Sequence, residues 1–348
     1  MSLQVLIDQF TVSSLPMITP DLPGIGGLIK TTPEDFVVEE IPLYEPAGEG
    51  EHLYLRLTRA GQTTRELLTE IARAASCPES AVGYAGLKDK RAIVTQTFSV
   101  PTLIDETVLA ERLSSRTAVD LHWIKRHRNK LKPGHLLSNR FTIRVRSPLP
   151  TAHDQAKTIA ERLSRVGVPN YYHAQRFGRD GTNALQGLAI LSRGLSSKDW
   201  RSTLKVNALQ SALFNQWLAL RVEQGYFSTL IAGDLAKKHT TGGLFSVLDL
   251  ESEQRRADDH EISLTGPIYG SKMRWPTGES KLFEEQLLQR SGIEFPRFSR
   301  ANGSRRIGRI FPEGMTLTPE ENGIRFAFTL PKGSYATSVL REFRKLDD

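Results

Sequence analysis

Along this chain the apolar positions switch repeatedly between a period of two and the spacing of a helix. Phe36 to Glu39 is a short β-like run entered through a turn at Pro33. His52 to Thr58 alternates as a strand. Leu67, Leu68, Ile71, Ala72 and Ala75 then share one helical face, and Thr63 with Glu66 three residues on forms a capping box ahead of them. Val94, Gln96, Phe98 and Val100 alternate with Ile93, Thr95, Thr97 and Ser99 as a further strand. Between that helix and this strand lies a short loop, Gly83-Tyr84-Ala85-Gly86-Leu87-Lys88-Asp89-Lys90-Arg91-Ala92.

Asp105 to Leu113 is a short amphipathic helix. Phe141, Ile143 and Val145 share one face of a strand whose other face carries Arg144 and Arg146. His153 to Val166 is helical and ends at Gly167, a C-cap. Beyond Gly167 the composition shifts. Val206 to Val222 is a long helix, Leu244 to Leu248 is strand-like, Gly266 to Gly270 turns, and Glu279 to Gln289 is helical. A strand over Arg325 to Leu330 then meets a Gly-Ser turn, after which Tyr335 opens a short C-terminal helix. Strand, helix, loop and strand in this order make an α+β unit.

The chain has 348 residues, 39% hydrophobic and 24% charged, which suits a globular protein with a proper core. Cys77 is its one cysteine, so no disulfide framework or thiolate metal cluster is expected. Met1 to Pro23 lacks a basic start followed by an apolar core, and no run approaches the roughly 18 apolar residues of a membrane span. The expectation is a cytoplasmic protein with no membrane partner. Gly24-Ile25-Gly26-Gly27 has neither a leading strand nor a following helix and is no dinucleotide fingerprint.

A net charge of +7 and a sequence pI near 9.5 suggest a polyanionic partner. Distribution says more than the total. Lys125 to Lys132 is a dense cationic run, read as a basic loop feeding the strand with the arginine face. Most charge runs are merely solvated surface. Here the adjoining strand makes a phosphate-backbone contact surface.

Asp89 stands between Lys88 and Lys90 with Arg91 following, so its carboxyl pKa should be lowered and the group ionised at neutral pH. That suits a nucleophile or general base better than a proton donor. An Asp in such a loop ordinarily caps a turn or makes a surface ion pair. What favours chemistry here is a resemblance. GYAGLKDKRA resembles the signature loop of the TruD family of tRNA pseudouridine synthases, in which the Asp of G-x-K-D-K is catalytic.

Further segments carry the same resemblance. Lys30-Thr31-Thr32-Pro33-Glu34-Asp35-Phe36 to Glu39 is similar to the family's N-terminal hallmark, which implies that Lys30 and Phe36 lie close to the catalytic pocket. Lys130-Leu131 to Asn139-Arg140-Phe141 resembles a second motif, which implies Asn139 beside the catalytic Asp with Phe141 close by. Val168 to Arg179 resembles G-x-P-N-Y-F-G-x-Q-R-F-G, with Tyr172-His173 standing where Phe-Gly is usual. Leu330 to Thr337 matches L-P-x-G-S-[FY]-A-T, in which Tyr335 takes the place of an aromatic set against the target base.

The resemblance implies an α+β fold with a mixed, largely antiparallel sheet and flanking helices, interrupted by an inserted α/β TRUD-type domain. The catalytic domain would be residues 1–166 plus 310–348. The insert, residues 167–309, would form the other wall of an RNA-binding cleft, with Arg297, Arg300, Arg305, Arg306 and Arg309 crowding the return path. The implied reaction is isomerisation of uridine to pseudouridine in tRNA at position 13 in the D arm, by a monomer, with no cofactor and no metal. Asp89 either attacks the sugar or base as a nucleophile or removes a ribose proton. Lys30 would help keep Asp89 ionised, Asn139 would orient Asp89 or read the uracil edge, and Phe36, Phe141 or Tyr335 would stack on the flipped base. Lys88, Lys90, Arg128, Lys130, Arg176 and Arg179 would contact the RNA backbone. A non-catalytic RNA-binding protein would need no carboxylate among phosphate-binding cations. An Asp-dependent hydrolase would need the paired carboxylate or metal ligands missing here.

Overall fold

The computed structural model describes residues 14–178, 181–193 and 199–346. It divides into two compact units. One comprises Ile25–Ala156 and Pro312–Gly333, and the other the described residues of Met1–Gly24, Lys157–Phe311 and Ser334–Asp348. This division differs from the expected domains at both ends of the chain. The described residues up to Gly24 and the C-terminal helix go with the middle of the sequence, stitched there by Glu342, whose carboxylate accepts from the backbone N–H groups of Ile18 and Thr19 at 2.9 and 3.0 Å.

The chain first lays down β1 (Phe36–Pro42), β2 (His52–Ala60), helix α1 (Thr64–Ala74), β3 (Gly83–Tyr84), β4 (Ile93–Pro101), α2 (Glu106–Ser114), β5 (Val119–His127) and β6 (Leu136–Arg146). Helix α3 (Ala152–Val166) then leads into the other unit. That unit contains β7 (Val168–Pro169), α4 (Asn183–Ser192), α5 (Trp200–Glu223), β8 (Leu235–Lys238), β9 (Leu244–Ser246), α6 (Leu250–Asp258), β10 (Ile262–Ile268), α7 (Gly278–Ser291), β11 (Ser304–Ile307) and β12 (Arg309–Ile310). The chain returns with β13 (Glu313–Glu320) and β14 (Gly323–Pro331) and ends in α8 (Ala336–Arg344).

In the first unit the strands form one sheet in the order β13-β14-β6-β1-β4-β2-β5, with β3 added beside β4. Only the β1–β4 pairing is parallel, so the sheet is mixed and largely antiparallel, as expected. Registers put Leu53, Leu55 and Leu57 of β2 opposite Val100, Phe98 and Gln96 of β4. These leucines and Phe98 and Val100 are buried against Leu67, Leu68 and Ile71 of α1 and Leu109 and Leu113 of α2. At about 1.5–3 kcal/mol for each large apolar side chain fully buried, this one-sided core fixes which face of the sheet points inward. Helix α1 starts where its capping box requires: Thr63 Oγ1 accepts from Glu66 N at 3.1 Å, and the Glu66 carboxylate accepts from Thr63 N at 2.6 Å.

Two local readings change. Lys125, Arg126 and His127 belong to the strand β5 rather than to a loop. Trp123 pairs with Arg56 but Leu121 with Leu57, so His122 is an extra residue that breaks the alternation and hides the strand. As an edge strand, β5 carries its cations where they discourage pairing with another chain. The outer arginines are also largely matched: Arg56 and Arg140 both pair with Glu39, Arg144 with Glu320, and Arg146 with the buried Asp35.

The second unit is built around α5, whose buried residues include Leu209, Leu213, Phe214, Trp217 and Leu218. The sheet β11-β10-β8-β9 packs on it. Gly266 of β10 lies flat against Trp217, since a Cβ there would come within 2.3 Å of the indole. Of the arginines expected to line a basic wall, Arg305 and Arg309 instead face the core. Arg305 is ion-paired with the fully buried Glu284 at 2.7 Å, and Arg309 caps helix ends through the carbonyls of Val166 and Ala257 at 2.6 and 3.2 Å. A buried cation beside free carbonyls or a carboxylate is held by them and is lost to an external phosphate. Among the described residues no helix is long and apolar enough to cross a membrane.

Candidate active site

The Asp89 loop runs back across the inward face of the sheet, from β3 beside Phe98 and Ser99 to the start of β4. Inward positions that a strand would normally fill with apolar side chains are polar here. Glu40 continues the parity of Phe36 and Val38, Arg59 that of Leu53, Leu55 and Leu57, Gln96 that of Val94 and Phe98, and Asn139 that of Phe141 and Ile143. All four are buried. Three of them grip the loop. Gln96 Nε2 donates to Gly86 O at 2.6 Å, and Glu40 Oε2 accepts from Lys88 Nζ at 2.7 Å. Arg59 donates to the carbonyl oxygen of Asp89 at 3.3 Å. Thr64, at the first position of α1, takes the Lys88 N–H on its hydroxyl at 2.9 Å and an Arg59 N–H at 3.2 Å.

The second motif packs beside the first. Gly134 N donates to Ala85 O at 2.7 Å, and Leu131 N donates to Ser99 Oγ at 2.9 Å. Gly83 is required by this approach: a Cβ on it would stand 2.4 Å from both Leu131 O and Ser99 Oγ.

Thus held, Asp89 is 23% exposed and turns one oxygen, Oδ2, to Lys30 Nζ at 2.8 Å. Its Oδ1 accepts from Arg91 N at 3.3 Å. Lys30 reaches this position from the segment before β1, where Leu28 exchanges both backbone hydrogen bonds with Arg146 at 2.9 and 2.8 Å. The Lys30 backbone is left-handed, with φ 56°, a conformation that costs a non-glycine residue about 1 kcal/mol or more and points to a positional demand. The Lys30 ammonium lies 4.6 Å from the centre of the Phe36 ring. Phe36 meets Phe141 edge-on at 6.2 Å, and Phe141 meets Phe328 at 5.7 Å. Asp89, Lys30, Phe36 and Phe141 therefore converge from three separate stretches of sequence.

Other expected residues fall differently. Asn139 sits opposite Glu40 across the β1–β6 ladder, buried, and its Oδ1 has no hydrogen-bond partner among the described residues. Lys88 is corrected: its side chain is 8% exposed and neutralises the fully buried Glu40, so it braces the loop and has no reach to a phosphate. Phe36 and Phe141 are 5% and 6% exposed, with the Phe36 face taken by Lys30, so they form the wall behind the ion pair rather than open stacking surfaces. Lys90 is exposed and pairs with Glu66 at 3.0 Å; the Thr63 backbone N–H and then that bond hold the Glu66 carboxyl down to about 2. Arg128 is exposed beside Glu49, and Lys130 Nζ donates to Ser80 O at 2.5 Å.

In the other unit Tyr335 is the residue before α8, half-buried, with its ring edge-on to Tyr172 at 6.1 Å. Burial pushes its phenol up, against the pull of Arg306 and Arg176. The Tyr172 backbone is clamped by Asn215, whose amide exchanges hydrogen bonds with its N–H and C=O at 2.8 and 2.9 Å. The Arg306 guanidinium covers the Tyr172 ring at 3.9 Å, and Arg176 donates to Ser211 Oγ at 3.1 Å. His173 is buried and opens the short 3-10 turn Ala174–Phe177. Arg179 lies outside the described residues.

An ionised carboxylate beside one ammonium, on a loop fixed from beneath, can act as nucleophile or base without reorganising. Residues sequence reasoning passed over, Glu40, Arg59, Thr64 and Gln96, supply that fixity. Three of them had a readable signal, a polar residue at an inward strand position.

The description "tRNA pseudouridine synthase D (TruD)" belongs to the family that matches residues 14–202 and 201–343. A tRNA pseudouridine synthase D of Thermus thermophilus is 43% identical over 97% of this chain and 94% of its own. One from an Anaeromyxobacter species is 42% identical over 96% and 97%. A solved TruD-type structure from Methanosarcina mazei aligns with a TM-score of 0.73 over 97% of both chains; at 22% identity it speaks for the fold. Matched along nearly its whole length by that family and by relatives above 40% identity, the chain belongs to the tRNA pseudouridine synthase D (TruD) family.

Proposed function

We propose that this protein isomerises uridine 13 in the D arm of tRNA to pseudouridine, with Asp89 as the catalytic carboxylate. Family membership carries the coarser part, uridine-to-pseudouridine isomerisation in tRNA. The observation that supports Asp89 as the catalytic carboxylate is its pair with Lys30 at 2.8 Å on a loop braced by Arg59, Thr64, Gln96 and the Lys88–Glu40 pair; position 13 in the D arm rests on the resemblance of the motifs. The unit built on the large sheet carries catalysis, and the residues near Tyr172 and Tyr335 in the other unit contribute to RNA binding.

In the reaction the N1–C1′ bond breaks, the uracil turns, and C5 joins C1′. The proton on C5 leaves and N1 gains one, so nothing is consumed. The target base leaves its stack first, at a cost of a few kcal/mol. Asp89 then either bonds to the sugar or base or takes a ribose proton, and both routes begin from the charged carboxylate. Lys30 lies where it favours that charge and is excluded from wandering by the Phe36 face. Asn139 Oδ1, buried and with no hydrogen-bond partner among the described residues, suits a hydrogen bond from the uracil N3–H. Tyr335 contributes to RNA binding from its own unit, an assignment resting on the resemblance; Lys90, Arg128 and Lys130 serve the RNA backbone.

Asp89→Ala tests the assignment. Its rate should fall at least about a thousandfold while tRNA affinity stays within a few-fold, as for a group acting mainly in the transition state. Retained turnover would refute the catalytic role, and a wild-type protein that binds tRNA without turnover would leave an RNA-binding protein.

A further inference from the structure

Arg59 is the largest charged side chain buried beneath the catalytic loop, at 2% exposure, and the chemistry above uses its hydrogen bonds as a brace but not its charge. Its fork is shared between the two ends of the site. One arm donates to the carbonyls of Asp89 and Gln62, the other to the Thr64 hydroxyl that also takes the Lys88 N–H. Its Nε has no hydrogen-bond partner among the described residues, so the guanidinium is incompletely paired where burial is costly. Burial brings its pKa down to about 10, and the charges of Asp89 and Glu66 work the other way. It therefore stays cationic at neutral pH. Other buried arginines are held by a carboxylate, as Arg305 is by Glu284 and Arg221 by Asp234, or by helix-end carbonyls, as Arg309 is, whereas Arg59 has the carbonyl of Asp89 itself among its acceptors.

We propose that Arg59 is a positioning residue for the catalytic carboxylate: it anchors the Asp89 backbone from beneath and adds a second positive charge behind Lys30. The inference rests on Asp89 being catalytic. The two lysines that flank Asp89 in sequence are each held by a carboxylate. Lys88 is neutralised by Glu40, and Lys90 by Glu66 of α1. Arg91 contributes its backbone N–H, and Lys30 supplies the direct ion pair. Removing the Arg59 charge thus weakens the ionised form of Asp89, since Lys88 and Lys90 are held by Glu40 and Glu66.

Single-turnover rates on unmodified tRNA, measured from about pH 5 to about pH 8, test this. For Arg59→Gln the neutral-pH rate should fall about 10- to 100-fold and the acid limb of the profile should move to higher pH. tRNA affinity should stay within about twofold, since Arg59 is buried away from the ligand. Arg59→Lys keeps the charge but loses the fork, so its acid limb should stay near wild type while the rate still falls. Thermal melts establish that each variant is folded. If Arg59→Gln does not fold, the Lys variant alone decides, and a wild-type rate from it overturns the proposal. So does a wild-type acid limb in folded Arg59→Gln. Asp89→Asn separates the layers: if it stays active, the reading of the site fails, whereas an inactive Asp89→Asn with an unshifted Arg59→Gln sinks the Arg59 proposal alone.

Discussion

Asp35 shows how a single residue near the site is held charged inside the protein. It is 1% exposed and accepts three hydrogen bonds from Arg146 and the Thr32 N–H. Burial works to raise its pKa, and the Arg146 hydrogen bonds and the Thr32 N–H outweigh that and leave it below its ordinary 3.8. A depressed carboxyl stabilises the fold above its unfolded pKa, and that contribution is lost as pH falls through the lower folded value. Arg146→Leu should therefore lower the unfolding free energy at neutral pH by about 2–3 kcal/mol, less than for a fully buried pair because Arg146 is 34% exposed. The deficit should narrow below about pH 4, where the wild type loses the same term. Urea titrations at neutral and acid pH measure it; equal deficits at both would contradict the assignment. At this scale Asp89, Lys30 and Phe36 were legible as motif members, while the direction Lys88 points was not. A lysine in a cationic run reads as solvated, and only Glu40 at an inward position betrays where it goes.

The element that makes the site is the loop from Gly83 to Ala92, and its shape is borrowed from neighbours. Thr64→Val keeps the volume but removes the hydroxyl that takes the Lys88 and Arg59 N–H groups. It should cost about 1–3 kcal/mol of stability for donors left buried, and should slow single turnover about tenfold with tRNA affinity unchanged. Thermal melts and rate measurements on the one variant read both; a destabilised enzyme with full rate would mean the brace does not serve catalysis. The strands β1, β2, β4 and β6 and helix α1 were readable because period and caps agree locally. β5 was not, because the bulge at His122 shifts the alternation just ahead of a cationic stretch. β13 was not either, since an edge strand with mostly exposed residues carries no apolar period.

For the whole molecule, net charge is a poor guide to where nucleic acid binds. The total of +7 includes arginines committed to the interior, such as Arg221, Arg305 and Arg309. The division into two compact units likewise escaped the composition shift at Gly167, because the contacts of the first residues and the last helix are long-range. Exposed and internal cations should behave differently. Lys90→Ala should weaken tRNA binding uniformly and reduce the slope of log affinity against log salt by about 1. Arg305→Met should destabilise the fold by stranding Glu284 and leave the slope unchanged. Filter binding across a salt series distinguishes them, and equal slopes for Lys90→Ala and wild type would remove Lys90 from the RNA contacts.

The central claim is that this chain converts uridine 13 of tRNA by way of Asp89. It is tested most directly by incubating unmodified tRNA with wild type and with Asp89→Ala, treating the RNA with a pseudouridine-specific carbodiimide, and mapping primer-extension stops. A stop at position 13 with wild type alone is the predicted result. A stop elsewhere, or the same stop with Asp89→Ala, would contradict it.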